Sequence, residues 1–415
     1  MKYYLERASV VRERINELTA IAKEGDLFGS KAFMEKSRLI ESWMQQARLD
    51  THIDNIGNIH GKLKTNNPGA KTFLIGSHFD TGINEDKFEG TLGILAGLDV
   101  VAYLNKTDLP FHIELIAFAE EEGIRFNHTR LGSKAVAGIF KNKFLELKDK
   151  NGESLAEVLR TMQLVPEKIK SDAIPAEELL GYFEIHVEQG DFLSEKNVPV
   201  GIPESIYGQK RIEIRFIGKE GHAGSIPMSK RHDALAAAAK FILSVEKYAR
   251  KEKRNITTTI GKLTVRDAAS NKIPGEVTCI VDVRSDDAEL LSEAYETINS
   301  NCEKICDKRN IYFEWNLLQE TDPVSCSKKL RKLLTAAISE KNIPFASMKS
   351  GAVYDAAIIA KITPVCLLLL RPVEENNHST AEDEQKSIAT ALEIADHFIK
   401  NLTSLPEKNF SKKEK

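Results

Sequence analysis

Four short segments bring together histidines and carboxylates, the side chains that hold divalent cations and move protons. In GSHFDT, residues 76–81, His78 and Asp80 follow the apolar run TFLIG. A metal-bound imidazole needs its second nitrogen held, often by a carboxylate, and Asp80 is close enough in sequence to do so. A loop histidine bonded to its neighbour is the simpler reading of that fragment alone. AEEEGIRF, residues 119–126, puts Glu120, Glu121 and Glu122 in a row. Such carboxylates repel unless a cation, a proton or a basic partner compensates, and a solvated acidic turn is the alternative. In YFEIHVEQG, residues 182–190, strand alternation sets Glu184, His186 and Glu188 on one side, although a strand histidine is more often structural. His378 of ENNHSTAED follows the apolar CLLLL and would also serve as a loop cap. Taken together, imidazoles and carboxylates beside several strand ends suit zinc, manganese or cobalt, ions that make a nucleophile of water or polarise a carbonyl.

The elements that must position these residues show in the hydrophobic pattern. Thr72–Gly76 and His112–Phe118 are apolar runs of strand length, and Thr91–Leu104 between them is apolar at helical spacing. Strand, loop, helix, strand places His78 and Asp80 at a strand's carboxyl end, where open α/β sheets bind ligands. From about Gln209 the texture changes. RIEIRFIG alternates, an alanine-rich helix covers Asp233–Arg250, TTTIGKLTV and EVTCIVDVRS alternate, a helix covers Asp287–Asp307, and a strand covers Ile311–Leu317. A helix at Lys328–Lys341 and a strand at Val365–Leu370 restore the first texture. The expected fold class is α/β: a helix-covered, mostly parallel sheet forms a discontinuous domain from residues 1–208 and 325–415, with an inserted α+β, ferredoxin-like domain at 209–324.

Composition narrows the function. A chain of 415 residues is long for one core, and 42% hydrophobic with 29% charged residues is ordinary for a globular protein. The 58 basic and 61 acidic side chains nearly cancel, which argues against a nucleic-acid partner. The apolar run Val365–Leu370 is far below the ~20 residues of a membrane span, and the charged start MKYYLERASVVRERINEL reads as an amphipathic helix and not as a signal peptide. Five scattered cysteines, Cys279, Cys302, Cys306, Cys326 and Cys366, are unlike a disulfide framework, so a cytoplasmic location is expected. EKNFSKKEK at the end reads as a disordered tail.

In order and spacing, GSHFDT, FEGTLGILAGL, LPFHIELIAFAEEEGIRF, LGSKAVAG, EIHVEQGDFL, GHAGSIPMSKRHDAL, NKIPGEVTCIVDVRS, SGAVYDA and NNHSTAED resemble the dinuclear-metal aminopeptidase-like hydrolases. Within them the chain is most similar to the N-carbamoyl-L-amino-acid hydrolase and allantoate amidohydrolase branch, over about residues 5–400. The resemblance implies a metal-dependent hydrolase of a ureido or amide C–N bond in a small carboxylate substrate. LPFHIELIAFAEEEGIRF points to allantoate, and so to purine catabolism, before N-carbamoyl-L-amino acids.

It further implies two divalent ions per subunit, zinc or manganese with cobalt as an alternative. His78 and His186 would hold one, Glu122 and His378 the other, and Glu89 would bridge them. Glu121 matches the general base, and Asp80 supports His78. His222 matches the group that stabilises the oxyanion from a partner subunit, which implies a homodimer through residues 209–324. Asn271 and Arg284 match the substrate-carboxylate clamp, and Gln189 and Gly351 match further substrate contacts. The sequence departs from the family pattern at three places. Glu89 of KFEG stands for an aspartate, which implies a weaker second metal site; GAVYDA has Tyr354 for a histidine; and EENNH replaces GGISH. An aminoacylase- or dipeptidase-like hydrolase and a non-catalytic binding protein with a degraded metal site are the alternative readings.

Overall fold

Apolar side chains at helical spacing open the chain: α1 (Lys2–Ile21) buries Ala8, Val11, Ile15 and Leu18. The computed structural model describes residues 1–22, 27–81, 87–105, 107–372 and 380–403. In α2 (Lys31–Gln46) the Ser30 hydroxyl caps the helix by accepting from the Phe33 amide. An antiparallel pair follows, β1 (Asp50–Ile53) with β2 (Ile59–Leu63). Then come β3 (Thr72–His78), α3 (Thr91–Leu104) and β4 (His112–Phe118), with β3 and β4 parallel. Every residue of β3 and β4 is buried, which is why their sequences are mostly apolar and do not alternate with polar residues. The chain continues through α4 (Leu131–Val136), α5 (Leu155–Thr161), β5 (Leu179–Val187), α6 (Phe192–Glu195) and β6 (Val200–Ile206).

A second unit comprises Ser205–Val324 with Lys349–Val353. It runs β7 (Gly208–Ile217), β8 (Gly221–His222), α7 (Ala234–Lys251), β9 (Ile256–Val265), β10 (Lys272–Ile273), β11 (Glu276–Ser285), α8 (Ala288–Asp307) and β12 (Tyr312–Thr321). Its antiparallel sheet has the order β12-β7-β11-β9. Alternate residues such as Ile212, Ile214, Phe216, Val277 and Val281 bury one face against Ala237, Phe241, Ala294 and Ile298 of the two helices. This is a β-α-β-β-α-β unit of the ferredoxin-like kind. Asp233 and Asp287 cap α7 and α8. Lys349–Val353 is tied to it by the Tyr207 amide donating to the Ser350 carbonyl (2.9 Å) and by Lys349 pairing with Asp286 (2.5 Å).

The first unit resumes at Ser325, within β13 (Val324–Ser325), and continues with α9 (Lys328–Ser339), β14 (Phe345–Ser350, of which Lys349 and Ser350 fall in the second unit), α10 (Ala356–Ile359), β15 (Val365–Leu370) and α11 (Ala381–Thr403). Its main sheet has the order β1-β2-β4-β3-β5-β15-β6-β13, with β14 pairing β6. The four central strands β4, β3, β5 and β15 are mutually parallel, so their carboxyl ends share one edge of the sheet. Arg7 reaches Asp99 (2.7 Å) and the fully buried Asp396 (2.5 Å), joining α1 to α3 and α11. All five cysteines are buried and free. Among the described residues, no helix is long and apolar enough to cross a membrane.

Away from the carboxyl edge, His60 on β2 is buried between two carboxylates, with Nδ1 2.9 Å from Glu114 and Nε2 3.4 Å from Asp54. Burial alone would lower this imidazole, but Asp54 and Glu114 outweigh it and push it up to about 9 from 6.5. Burial would raise Glu114, yet His60 and Lys62 hold it down at about 2. A raised histidine stabilises the fold fully below its unfolded value and loses that contribution as pH rises through its folded one. Urea denaturation is therefore expected to show stability falling between pH 6.5 and about 9. His60→Gln should be less stable at pH 6 and should flatten that slope; an unchanged slope would dismiss the charged imidazole.

Candidate active site

The carboxyl end of β3 delivers His78, and the geometry around it is crowded. Gly90 caps α3 with φ +65°, and a Cβ there would lie 2.4 Å from the His78 ring, so only glycine lets the helix start against the imidazole. The His78 Nδ1 lies 2.8 Å from the Asp80 carbonyl oxygen. The Asp80 carboxylate, expected from sequence to hold the ring, is 3.8 Å away. It accepts instead from the amides of Glu121 (3.2 Å) and Glu122 (3.1 Å), which locks the loop after β3 to the loop after β4. Asp80 supports the histidine through its main chain and the paired glutamates through its side chain. An Nδ1–H given to a carbonyl leaves the Nε2 lone pair free to face a cation.

One donor atom from each of His78, Glu121 and Glu122 lies within 4.8 Å of the others. The His186 Nε2, from β5, approaches the His78 Nε2 to 3.2 Å, with the two rings stacked at 5.4 Å. Two imidazole nitrogens so close need a proton or a cation between them. Burial would lower His78, but Glu121, Asp80, Glu122 and Asp355 together push it up to about 10. Burial and the neighbouring His78 push His186 down to about 3. A nitrogen and oxygen donor set in which His78, His186 and Glu121 are buried and Glu122 partly so, with this excess of negative charge, fits a divalent transition ion. The Glu121 carboxylate also accepts from Arg130 Nη1 at 3.3 Å.

The remaining expected residues fall into groups. Glu89 lies outside that 4.8 Å set, and its carboxylate accepts from the Gln189 side-chain amide. Tyr354 packs its ring edge-on against His186 at 5.0 Å. Glu188 accepts from the amides of Phe192 (3.0 Å) and Leu193 (2.9 Å) and so caps α6. His378 and the altered loop 374–377 lie outside the described residues. In the second unit, the exposed His222 accepts at Nδ1 from the Gly224 amide (3.2 Å) and faces the Ser225 hydroxyl at 3.1 Å. The adjoining Ala223 amide donates to the Asn271 carbonyl at 2.9 Å, so His222 and Asn271 are neighbours. Arg284 donates from Nε to Asp282 (2.8 Å) and from Nη1 to the Gly351 carbonyl (3.1 Å).

One acid of this centre, Asp355, was not recognised from sequence, and Glu184 and Glu120, noted there only as residue types, are deeply buried. Asp355, at the start of α10, is fully buried, and burial reinforced by Glu121 pushes it up to about 7. Glu184 accepts from the Tyr182 hydroxyl (3.0 Å) and the Ala356 amide (2.9 Å), and burial beside Asp355 holds it well above its ordinary value. Glu120 is also buried, at φ +52°, and burial with Asp80 raises it to about 8. Strand alternation marks Glu184, but nothing in the sequence signals that Asp355 folds back to meet it.

The sequence profile of peptidase family M20/M25/M40 matches residues 74–401. The chain is 34% identical to an N-carbamoyl-L-amino acid amidohydrolase of Geobacillus stearothermophilus, covering 93% of this chain and 96% of that one. It is 31% identical to an allantoate deiminase of Arabidopsis thaliana, covering 92% and 80%. An allantoate amidohydrolase of Escherichia coli K12 is 29% identical, covering 86% and 87%. Among solved structures, AtUAH in complex with glyoxylate superposes with a TM-score of 0.86 at 24% identity, covering 95% of this chain and 97% of that one.

Proposed function

The chain belongs to peptidase family M20/M25/M40, and from that premise we propose that it is a metal-dependent amidohydrolase cleaving a ureido C–N bond of a small carboxylate, allantoate before N-carbamoyl-L-amino acids. The observation that carries this reading is the convergence of His78, Glu121 and Glu122, with His186 against His78, in a chain whose relatives are named for those two reactions. His78, His186 and Glu122 are the proposed ligands, with Glu89 and His378 completing two sites for zinc or manganese. A divalent ion there would make water nucleophilic at neutral pH and polarise the scissile carbonyl.

Glu121 takes the proton of the attacking water and returns it to the departing nitrogen. The Arg130 bond at 3.3 Å orients its carboxylate for that transfer. Asp80 fixes the Glu121 and Glu122 amides, so both side chains leave the main chain at set points. Arg284, with Asn271, Gly351 and Gln189, is proposed to hold the substrate carboxylate, and His222 to stabilise the oxyanion in the partner subunit of a dimer formed through residues 209–324.

The test is a hydrolysis panel of allantoate, several N-carbamoyl-L-amino acids, N-acyl amino acids and dipeptides, with zinc, manganese and cobalt each supplied. Ammonia release should be fastest from a ureido substrate, and specificity of about 10²-fold or more over dipeptides is expected of a site that pairs buried polar groups with the ureido nitrogen. Faster dipeptide cleavage would replace this reading with the peptidase one.

A further inference from the structure

A groove of about 500 Å³ lies between α7 and α8 on the second unit. Helical spacing builds it. Lys240, Lys247 and Lys251 share one face of α7, and Lys304 and Lys308 share one face of α8. No carboxylate lines the groove, and among the described residues none of the five lysines forms an ion pair. Glu246 pairs with Arg250 (2.7 Å) and Glu293 with Arg254 (2.6 Å), and the exposed Glu303 and Asp307 of α8 do not line the groove.

Such segregation is not what helix stability favours. Lysines four residues apart, as at 247 and 251 or 304 and 308, repel by a few tenths of a kcal/mol per pair. The helix dipole accounts for Lys251 and Lys304, each in a last turn. It does not account for Lys240 and Lys247 in the interior of α7. The whole chain is nearly neutral, with 58 basic and 61 acidic side chains, so five lysines lining one groove are a local feature.

The size and chemistry of the groove choose the occupant. Lys240 to Lys251 spans about 16 Å of helix, and the volume is that of a small-molecule site, too short for a strand of nucleic acid. The cations are all lysines. Arginine, the side chain whose fork matches a planar carboxylate, does not line the groove, whereas lysine binds phosphate as a point charge. The chain's own terminal residues, KNFSKKEK, are basic and would be repelled. Leu243, 65% exposed, and the half-buried Tyr248 add apolar surface beside the lysines. We propose that the groove between α7 and α8 binds a small oligophosphate, a run of two or three phosphates either free or attached to a nucleoside.

Calorimetric titration of the full chain with inorganic tripolyphosphate, ATP, citrate and a polyglutamate peptide tests this. Tripolyphosphate or ATP should bind saturably at sub-millimolar concentration, more weakly as salt rises. The double variant Lys247→Gln/Lys304→Gln should weaken binding by about tenfold or more. Lys262→Gln, on the exposed β9, should not change it. Equal affinity for the two probes would assign recognition to the phosphates, and tighter ATP binding would add a nucleoside contact at Leu243 and Tyr248; both uphold the site. If the double variant loses its circular dichroism spectrum, Lys240→Gln and Lys308→Gln, read singly, make the same comparison. No binding of either phosphate probe, binding unchanged in the variants, or citrate or polyglutamate binding as tightly as tripolyphosphate would overturn it.

Discussion

Glu121→Gln is expected to lower kcat by on the order of 10² to 10⁴-fold while leaving the metal content of the protein unchanged. Glutamine keeps the length of the side chain and the main-chain amide that Asp80 accepts at 3.2 Å. It keeps an oxygen for Arg130 as well, so the loop after β4 should hold its shape. What it loses is the ability to take a proton. Because a donor of Glu121 lies within 4.8 Å of His78 and Glu122, the same carboxylate has the position of a ligand. The two roles separate in one measurement. A base leaves metal bound and turnover gone, and a ligand releases metal and activity together. Metal analysis beside steady-state kinetics on the ureido substrate gives the answer, and loss of metal in step with kcat would remove Glu121 from the role of base.

His78→Ala, or removal of metal by a chelator, should abolish hydrolysis and leave the fold in place. His78 is the residue the other donors share: its Nε2 is 3.2 Å from that of His186, and its ring donor lies within 4.8 Å of those of Glu121 and Glu122. Alanine there leaves the carboxylates without the nitrogen that completes the set, and second-site metal should fall with it. Restoring manganese, zinc or cobalt should rescue the chelated wild type and fail to rescue His78→Ala. Circular dichroism guards against simple unfolding, since His78 ends a strand that is buried along its whole length. A chelated protein that keeps its turnover would remove the metal from the reaction.

How much of this was legible in the sequence depends on the range of the interaction. The strands His112–Phe118, Glu276–Ser285 and Val365–Leu370 and the helix Thr91–Leu104 were readable to the residue, because apolar runs bounded by polar turns are local signals. The antiparallel second unit was readable for the same reason, with its period of two along Ile212, Ile214 and Phe216. The histidines and carboxylates were visible as types at strand ends, and family resemblance gave them roles.

Partner choice was not visible. Asp80 carries a carboxylate two residues from His78, and sequence alone assigns it to the ring. The fold gives that carboxylate to two amides 41 and 42 residues away and lets a carbonyl hold the ring. Glu184 and Asp355 are separated by more than 170 residues and become one buried acidic pair only because α10 returns to β5. Sequence by itself determined which elements form and which side chains can do chemistry, since local periodicity and residue type suffice for both. Tertiary structure decided which donors meet and which acids are driven towards their neutral form, because hydrogen-bond direction and desolvation depend on neighbours that the chain supplies from far away.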